Sequence, residues 1–176
     1  SCIGGKFLSM DKLNAAELLT PPCDSDREGR LKALFTNLFI QQNRIQTAFE
    51  KIEPDISLKQ WMLLGITESC PEPKTLTRVG QLMGCSRQNV KQLADSLAKK
   101  GYLSIAKGGS RSVCLELTES GKHRYEEIYG TRKEFLEQLY CIFNDKEIEK
   151  LYSLQSRIFD GIEFAEKYAS ENQKKA

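Results

Sequence analysis

The hydrophobic residues of the first half of the chain recur at the spacing of an amphipathic helix. Between residues 27 and 53 apolar side chains return every three, four or seven positions, which places them on one face of a helix that Pro54 ends. This face consists of Leu31, Leu34, Phe35, Leu38, Ile45, Phe49 and Ile52. The sequence Ser-Leu-Lys-Gln at 57–60 then matches a capping box and predicts a second helix through Trp61 to the break at Pro71.

Residues 75–100 have the pattern of two short helices joined by a tight turn. The first is predicted over 75–83, and the second runs from the N-cap residue Ser86 to a stop at Gly101. The apolar stripe of the second helix consists of Val90, Leu93, Leu97 and, more weakly, Ala94. Its remaining positions form a long polar and cationic face, made up of Arg87, Gln88, Lys91, Gln92, Asp95 and Lys99.

A β-hairpin is predicted directly after these helices. Apolar and polar residues alternate at 103–106 and again at 113–117, on either side of a tip at 107–110 that is rich in glycine and basic. We therefore expect a mainly α fold with a small β-hairpin.

Two long helices follow the hairpin. Thr118 is expected to cap a helix that runs to Ile142, and the sequence Asn-Asp-Lys-Glu at 144–147 opens the last one. At the ends of the chain we expect a loosely ordered arm over 1–26 and a frayed tail over 169–176.

Composition narrows the class of protein. The 176 residues are 40% hydrophobic and 28% charged, which is typical of one globular folding unit. The sequence has no apolar run of about 20 residues and no secretory signal, so we expect a cytoplasmic protein without a membrane partner. Its six cysteines lie far apart and His123 is the only histidine, so we expect no metal, no cofactor and no enzymatic activity.

The distribution of charge is more informative than the net value of +2. From Lys74 to Ser112 eight basic residues accompany the single acid Asp95, so this segment carries +7 and the rest of the chain −5. A basic segment in an otherwise acidic chain is typical of contact with a polyanion, although a solvated charged face has the same composition.

The order of two short helices, a tight turn and a basic hairpin is that of a winged helix-turn-helix. Such a unit places its second helix in the major groove of duplex DNA. Gln and Asn can pair with adenine and Arg or Lys with guanine, which fits the outer face of the second helix. A helix pair with a hairpin used only for packing would have the same order of elements.

The sequence also resembles the multiple-antibiotic-resistance regulator (MarR) family. The resemblance covers 27–168 and is most specific in the stretch VKQLADSLAKKGYL at 90–103 and in the Leu-Thr-x-x-Gly sequence at 117–121. It implies a dimeric bacterial transcription regulator, with dimerisation helices at 27–53 and 119–168 and a DNA-binding region at 54–118.

The resemblance further implies that Asp95 and Arg111 pair to hold the wing against the recognition helix. The sequence departs from the family at Gly109, where the wing usually carries an acid. We expect this to leave Arg111 freer for DNA.

Together these observations predict a homodimeric, sequence-specific double-stranded DNA-binding regulator that represses transcription from a pseudo-palindromic operator. The alternative is a winged-helix protein-interaction module, whose outer helix face would be acidic or apolar. The candidate DNA-contacting residues are Thr75, Thr77, Ser86, Arg87, Gln88, Asn89, Lys91, Gln92, Lys107, Ser110, Arg111 and Ser112.

Two candidate sites of regulation remain. The residues Phe39, Gln42, Trp61 and Tyr125 combine aromatic rings with an amide and are candidates for a pocket that binds a small aromatic or apolar effector, although such aromatics more often form core. Cys85 and Cys114 are candidate redox sensors, for which a small buried hydrophobe is the simpler interpretation.

Overall fold

Helices dominate the computed structural model, which describes residues 26–108 and 112–173. In chain order the elements are α1 (Arg27–Ile52), α2 (Leu58–Ser69), α3 (Leu76–Met83), α4 (Arg87–Lys99), β1 (Leu103–Lys107), β2 (Val113–Leu117), α5 (Glu119–Tyr140) and α6 (Asp145–Gln173). The strands β1 and β2 form an antiparallel hairpin in which Leu103 pairs with Leu117 and Lys107 with Val113. The predicted order of helices and strands is confirmed.

The chain divides into two compact units, one that ends at Arg132 and one that begins at Lys133. The core of the first unit lies where α2, α3, α4 and β2 meet. Its fully buried side chains include Leu63, Leu64, Leu76, Val79, Val90, Ala94, Leu97 and Leu115. Burial of each large apolar side chain contributes about 1.5–3 kcal/mol, so this core fixes α4 against its neighbours.

The helix termini follow the local sequence signals. Asp26, Ser57, Thr75 and Ser86 accept a hydrogen bond from the backbone N–H three residues later, which satisfies an otherwise unpaired donor of the first turn. Thr118 does the same for Gly121 at the start of α5. These caps explain why the predicted starts agree with the observed ones.

Three details differ from the sequence predictions. Ala94 is fully buried whereas Leu93 is only half-buried, because the stripe of α4 centres on Val90 and Leu97. The helix α5 ends at Tyr140, two residues before the predicted end. The helix α6 continues to Gln173, into the predicted frayed tail, and residues 1–25 of the predicted arm lie outside the described residues.

The helices α1 and α6 each expose an apolar face. In the first unit, Leu31, Leu34, Phe35, Leu38 and Phe39 of α1 are between 46% and 66% exposed. In the second unit, the exposed apolar side chains of α6 include Leu151, Leu154, Ile158 and Ile162. No helix in the described ranges is long and apolar enough to cross a membrane.

Two glycines of α5 give opposite expectations for substitution by alanine. A Cβ at Gly121 would collide with the carbonyl of Tyr102, whereas a Cβ at Gly130 would meet no atom within 4 Å. We expect Gly121→Ala to destabilise the fold by about 1–3 kcal/mol through overpacking. Gly130→Ala should stabilise it by about 0.5–1 kcal/mol, because glycine loses more backbone entropy in a helix. Urea unfolding of both variants measures the difference, and equal effects would contradict this packing of α5.

Candidate nucleic-acid interface

The turn between α3 and α4 sets the direction of α4. Gly84 follows α3 with φ of 64°, a left-handed conformation that glycine adopts without strain. Ser86 then caps α4, and its hydroxyl accepts from the N–H of Asn89 at 3.2 Å. Residues 86–89 are exposed, so the first turn of α4 and the positive end of its dipole lie at the surface.

The predicted recognition residues lie on the exposed side of α4. Arg87, Gln88, Asn89 and Gln92 are exposed, while Lys91 is partly exposed beside them. A concavity of about 420 Å³ lies between the first turns of α4, the start of α3 and β2, and it is lined by Leu76, Arg87, Gln88, Lys91 and Val113. The structure therefore brings the cationic start of α4 next to the hairpin.

Lys91 forms an ion pair on this face that sequence analysis missed. Its ammonium donates to the carboxylate of Asp95, with Nζ 2.6 Å from Oδ2, and each side chain is 44% exposed. The i,i+4 spacing of the two residues is the signal that would have found the pair. Asp95 thus has a partner within α4, and the predicted Asp95–Arg111 pair cannot be located because Arg111 lies outside the described residues.

The remaining candidate contacts fall around the start of α3 and the hairpin. Thr75 caps α3 and also forms an isolated β-bridge with Cys114, which attaches β2 to the start of α3. Thr77 and Lys107 are exposed, and Ser112 is partly buried. Ser110, like Arg111, lies outside the described residues.

Two of the basic residues counted along the sequence form hydrogen bonds to backbone carbonyls. The guanidinium of Arg78 donates to the carbonyl of Glu72 at 3.1 Å, and the ammonium of Lys100 donates to the carbonyl of Asp55. Arg87, Lys99 and Lys107 are exposed. Lys100 is exposed as well, so these four cations are accessible to a polyanion.

The predicted effector pocket is only partly assembled. The rings of Trp61 and Tyr125 stack with centroids 5.6 Å apart, beside a concavity of about 530 Å³ that Met62, Gly65, Ile66 and Leu82 also line. Phe39 and Gln42 do not line it: both are exposed, and the ring of Phe39 packs on Phe35. Trp61 instead contacts the ring of Phe49 on α1. Phe49 lies ten residues after Phe39, which is about 15 Å along the helix.

Arg132 joins this aromatic cluster without any local signal in the sequence. Its guanidinium carbon lies 3.9 Å from the centroid of the Trp61 ring, a cation–π contact. The donor atoms Arg132 Nε and Trp61 Nε1 are buried and have no hydrogen-bond partner among the described residues. Trp61 lines the concavity and Arg132 does not, and both donor atoms are shielded from solvent inside the aromatic cluster.

A buried ion pair connects the end of α1 to α5 in the same unit. The guanidinium of Arg124 lies 2.9 Å from Glu53 and 2.9 Å from Glu127. Burial acts to lower the pKa of Arg124, but the hydrogen bonds and charges of Glu127 and Glu53 outweigh it and raise the pKa from its ordinary value. Arg124 therefore links Glu53 at the end of α1 to α5.

The candidate redox residues are not paired with each other. Cys85 and Cys114 are both partly buried and both free thiols, and the Cys85 thiol donates to the carbonyl of Met83 at 3.6 Å. Within residues 26–108 and 112–173, no group of three His, Cys, Asp or Glu side chains is arranged to hold a metal ion.

The fold has many similar structures, whereas the sequence matches no protein-family profile and no curated protein. MepR of S. aureus, solved in complex with DNA, is 19% identical with a TM-score of 0.62 over 73% of this chain and 96% of that chain. A probable transcriptional regulator from Pseudomonas aeruginosa is 20% identical with a TM-score of 0.64 over 71% and 96% of the two chains. A MarR/EmrR family transcriptional regulator from Acinetobacter sp. ADP1 is 18% identical with a TM-score of 0.63 over 79% and 99%. The predicted winged-helix fold is confirmed.

Proposed function

We propose that this chain, which has the fold of the MarR family regulators, is a sequence-specific duplex DNA-binding repressor that acts as a homodimer. The observation that carries this proposal is the exposed, polar and cationic start of α4 beside the hairpin. A protein-docking module would present an acidic or apolar face there. The DNA complex of MepR supports the same function by analogy.

The chemistry of α4 fits the edges of base pairs in the major groove. The amides of Gln88, Asn89 and Gln92 can donate to and accept from adenine, and Arg87 or Lys91 can donate to both acceptors of guanine. Asp95 holds the Lys91 ammonium along the helix face in the free protein. Lys107, which is exposed at the end of β1, can contact phosphates.

The exposed apolar faces of α1 and α6 support the homodimer. A contiguous apolar patch above a few hundred Å² is unusual on a monomer and marks an interface. A second copy of the chain carries the same two faces, so each face has a counterpart that can cover it in a two-fold arrangement. Two copies also present two recognition helices, which match a pseudo-palindromic operator.

Selection of bound duplexes from a random DNA pool tests this function. We expect enrichment of a pseudo-palindrome whose half-sites lie about one helical turn, 10–10.5 base pairs, apart. A pool that stays random after repeated rounds would contradict sequence-specific binding.

Substitutions in α4 and in the hairpin should have different effects on the selected duplex. Gln88→Ala or Lys91→Ala should reduce discrimination at particular base pairs by about 1–3 kcal/mol, because each removes a hydrogen-bonding group that reaches base edges. Lys107→Ala should weaken binding to all sequences alike, because a phosphate contact carries no sequence information. Competition binding with singly substituted duplexes measures both. Unchanged base preference in both α4 variants would contradict the assignment.

We also propose regulation by a small aromatic or apolar effector bound in the concavity beside Trp61 and Tyr125. The stacked rings and the side chains of Met62, Ile66 and Leu82 supply an apolar surface for such a molecule. Because Trp61 is the only tryptophan, its fluorescence reports occupancy directly. A tenfold loss of operator affinity requires about 1.4 kcal/mol of preference for the state that does not bind DNA.

A screen of aromatic acids and phenols distinguishes this effector from thiol oxidation. The pocket predicts parallel changes in Trp61 fluorescence and operator affinity. Oxidation at Cys85 or Cys114 predicts release by peroxide from the wild type but not from a variant with both cysteines changed to Ser. If no compound changes fluorescence or affinity, the pocket proposal is wrong.

A further inference from the structure

Both polar atoms of the Gln60 carboxamide form hydrogen bonds. Its Oε1 accepts from the backbone N–H of Ser57 at 3.1 Å and so completes the capping box of α2. Its Nε2 donates to the hydroxyl of Ser96, on α4, at 2.8 Å. The first bond shapes α2 locally, whereas the second joins residues 36 positions apart and reaches the proposed recognition helix.

A second hydrogen bond also joins the start of α2 to α4. The ammonium of Lys100, the residue that follows the last turn of α4, donates to the carbonyl of Asp55 in the turn before α2. Ser96 and Lys100 are four residues apart and therefore lie on the same flank of α4. The segment from Asp55 to Gln60 consequently holds this flank of α4 at two successive turns.

The segment from Asp55 to Gln60 is also attached to α1. A carboxylate oxygen of Glu50, in the last two turns of α1, accepts from the side-chain amide of Gln46 at 3.0 Å and from the N–H of Leu58 at 3.4 Å. A continuous set of hydrogen bonds thus runs from α1 through the start of α2 to α4. All its members belong to the first compact unit.

These polar contacts add a direction to the apolar packing of α4. Val90, Ala94 and Leu97 are fully buried and determine which face of α4 meets the core. Apolar contacts are non-directional, so they set the exact rotation of α4 about its axis less sharply than a hydrogen bond of defined length and angle does. A small rotation would shift Gln88 and Gln92 relative to the major groove, and the bond from Gln60 to Ser96 opposes it.

We propose that Gln60 is a positioning residue for DNA recognition: through Ser96 it fixes the rotation of α4, and through the α1–α2 junction it ties that rotation to α1. This inference rests on the proposed DNA-binding function. It predicts that loss of the bond reduces the preference for operator over random duplex more than it reduces DNA binding itself.

The test compares Ser96→Ala and Gln60→Met, singly and together, with the wild type and with Ser120→Ala, the same serine change on the exposed first turn of α5. Ser96→Ala leaves the capping box intact and introduces a better helix former, so it should preserve the fold. We expect Ser96→Ala and Gln60→Met each to lower the ratio of operator to random-duplex affinity about five- to tenfold, the equivalent of one hydrogen bond. Affinity for random duplex should change less than twofold.

The double variant should lower the ratio no further than Gln60→Met alone, because both changes remove the same bond. If Gln60 only caps α2, Ser96→Ala will behave like Ser120→Ala, and that result would overturn the positioning role while leaving DNA binding in place. Independent effects of the two substitutions would overturn it as well. A wild-type chain without preference for any duplex would instead contradict the proposed function itself.

Discussion

The affinity of the homodimer for its operator is expected to fall about 10³- to 10⁵-fold when the salt concentration rises from about 50 mM to 200 mM. The basic start of α4 and the hairpin are duplicated in the dimer. If each half neutralises about three to five phosphates, the slope of log affinity against log salt is about −5 to −9. Counterions released from these phosphates drive the association, and added salt opposes their release.

A salt titration of binding by fluorescence anisotropy measures the slope directly. Lys107→Ala should reduce its magnitude by about one unit for each phosphate that is no longer neutralised, or about two per dimer, because the slope depends on phosphates rather than bases. Gln88→Ala, which removes no charge, is the matched control and should leave the slope unchanged. Affinity that is independent of salt would contradict a phosphate-driven interface.

The second large effect is expected when the apolar face of α6 is disrupted. The double substitution Leu154→Glu with Ile158→Glu places two carboxylates where the proposed interface buries apolar side chains, which are about half exposed in the single chain. We expect a monomer of about the chain mass of 20.0 kDa in sedimentation at micromolar concentration. Its operator affinity should fall about 10²- to 10⁴-fold, because the second recognition helix no longer binds at high effective concentration.

Leu82→Glu is the control for each of these changes, since it places one carboxylate on an exposed apolar side chain of α3. It should remain dimeric. A wild-type chain that sediments as a monomer, or a double variant that stays dimeric with full operator affinity, would refute the homodimer.

Most of the fold was accessible from sequence because its signals are local. The capping residue Ser86, the stop at Gly101 and the alternation around the hairpin each act within a few residues, and the structure places α4 and the strands accordingly. The exposed face of α4 follows from the same local periodicity. Only the relative burial of residues in the apolar stripe of α4 differed from the prediction. Ala94 is more deeply buried than Leu93, because burial also depends on the elements packed against α4.

Apart from the i,i+4 pair of Lys91 and Asp95, the contacts that sequence analysis missed join residues far apart in the chain. Glu53 and Arg124 are separated by 71 positions, and Gln60 and Ser96 by 36. The cation over Trp61 belongs to Arg132, on a helix whose path the sequence alone does not define. The effector-pocket prediction was wrong for Phe39 and Gln42 for the same reason. The sequence places both residues on the amphipathic helix α1, but it does not show which turn of α1 contacts α2.

The most direct test of recognition by α4 is methylation interference on the selected duplex. Methylation of guanine at N7 modifies the major groove, which is where α4 is proposed to bind, and leaves the minor groove unchanged. The account predicts two clusters of N7 positions, about 10–10.5 base pairs apart, at which methylation blocks binding of the wild type. Binding that tolerates N7 methylation throughout the site, and is blocked only by modification of the minor groove, would contradict it.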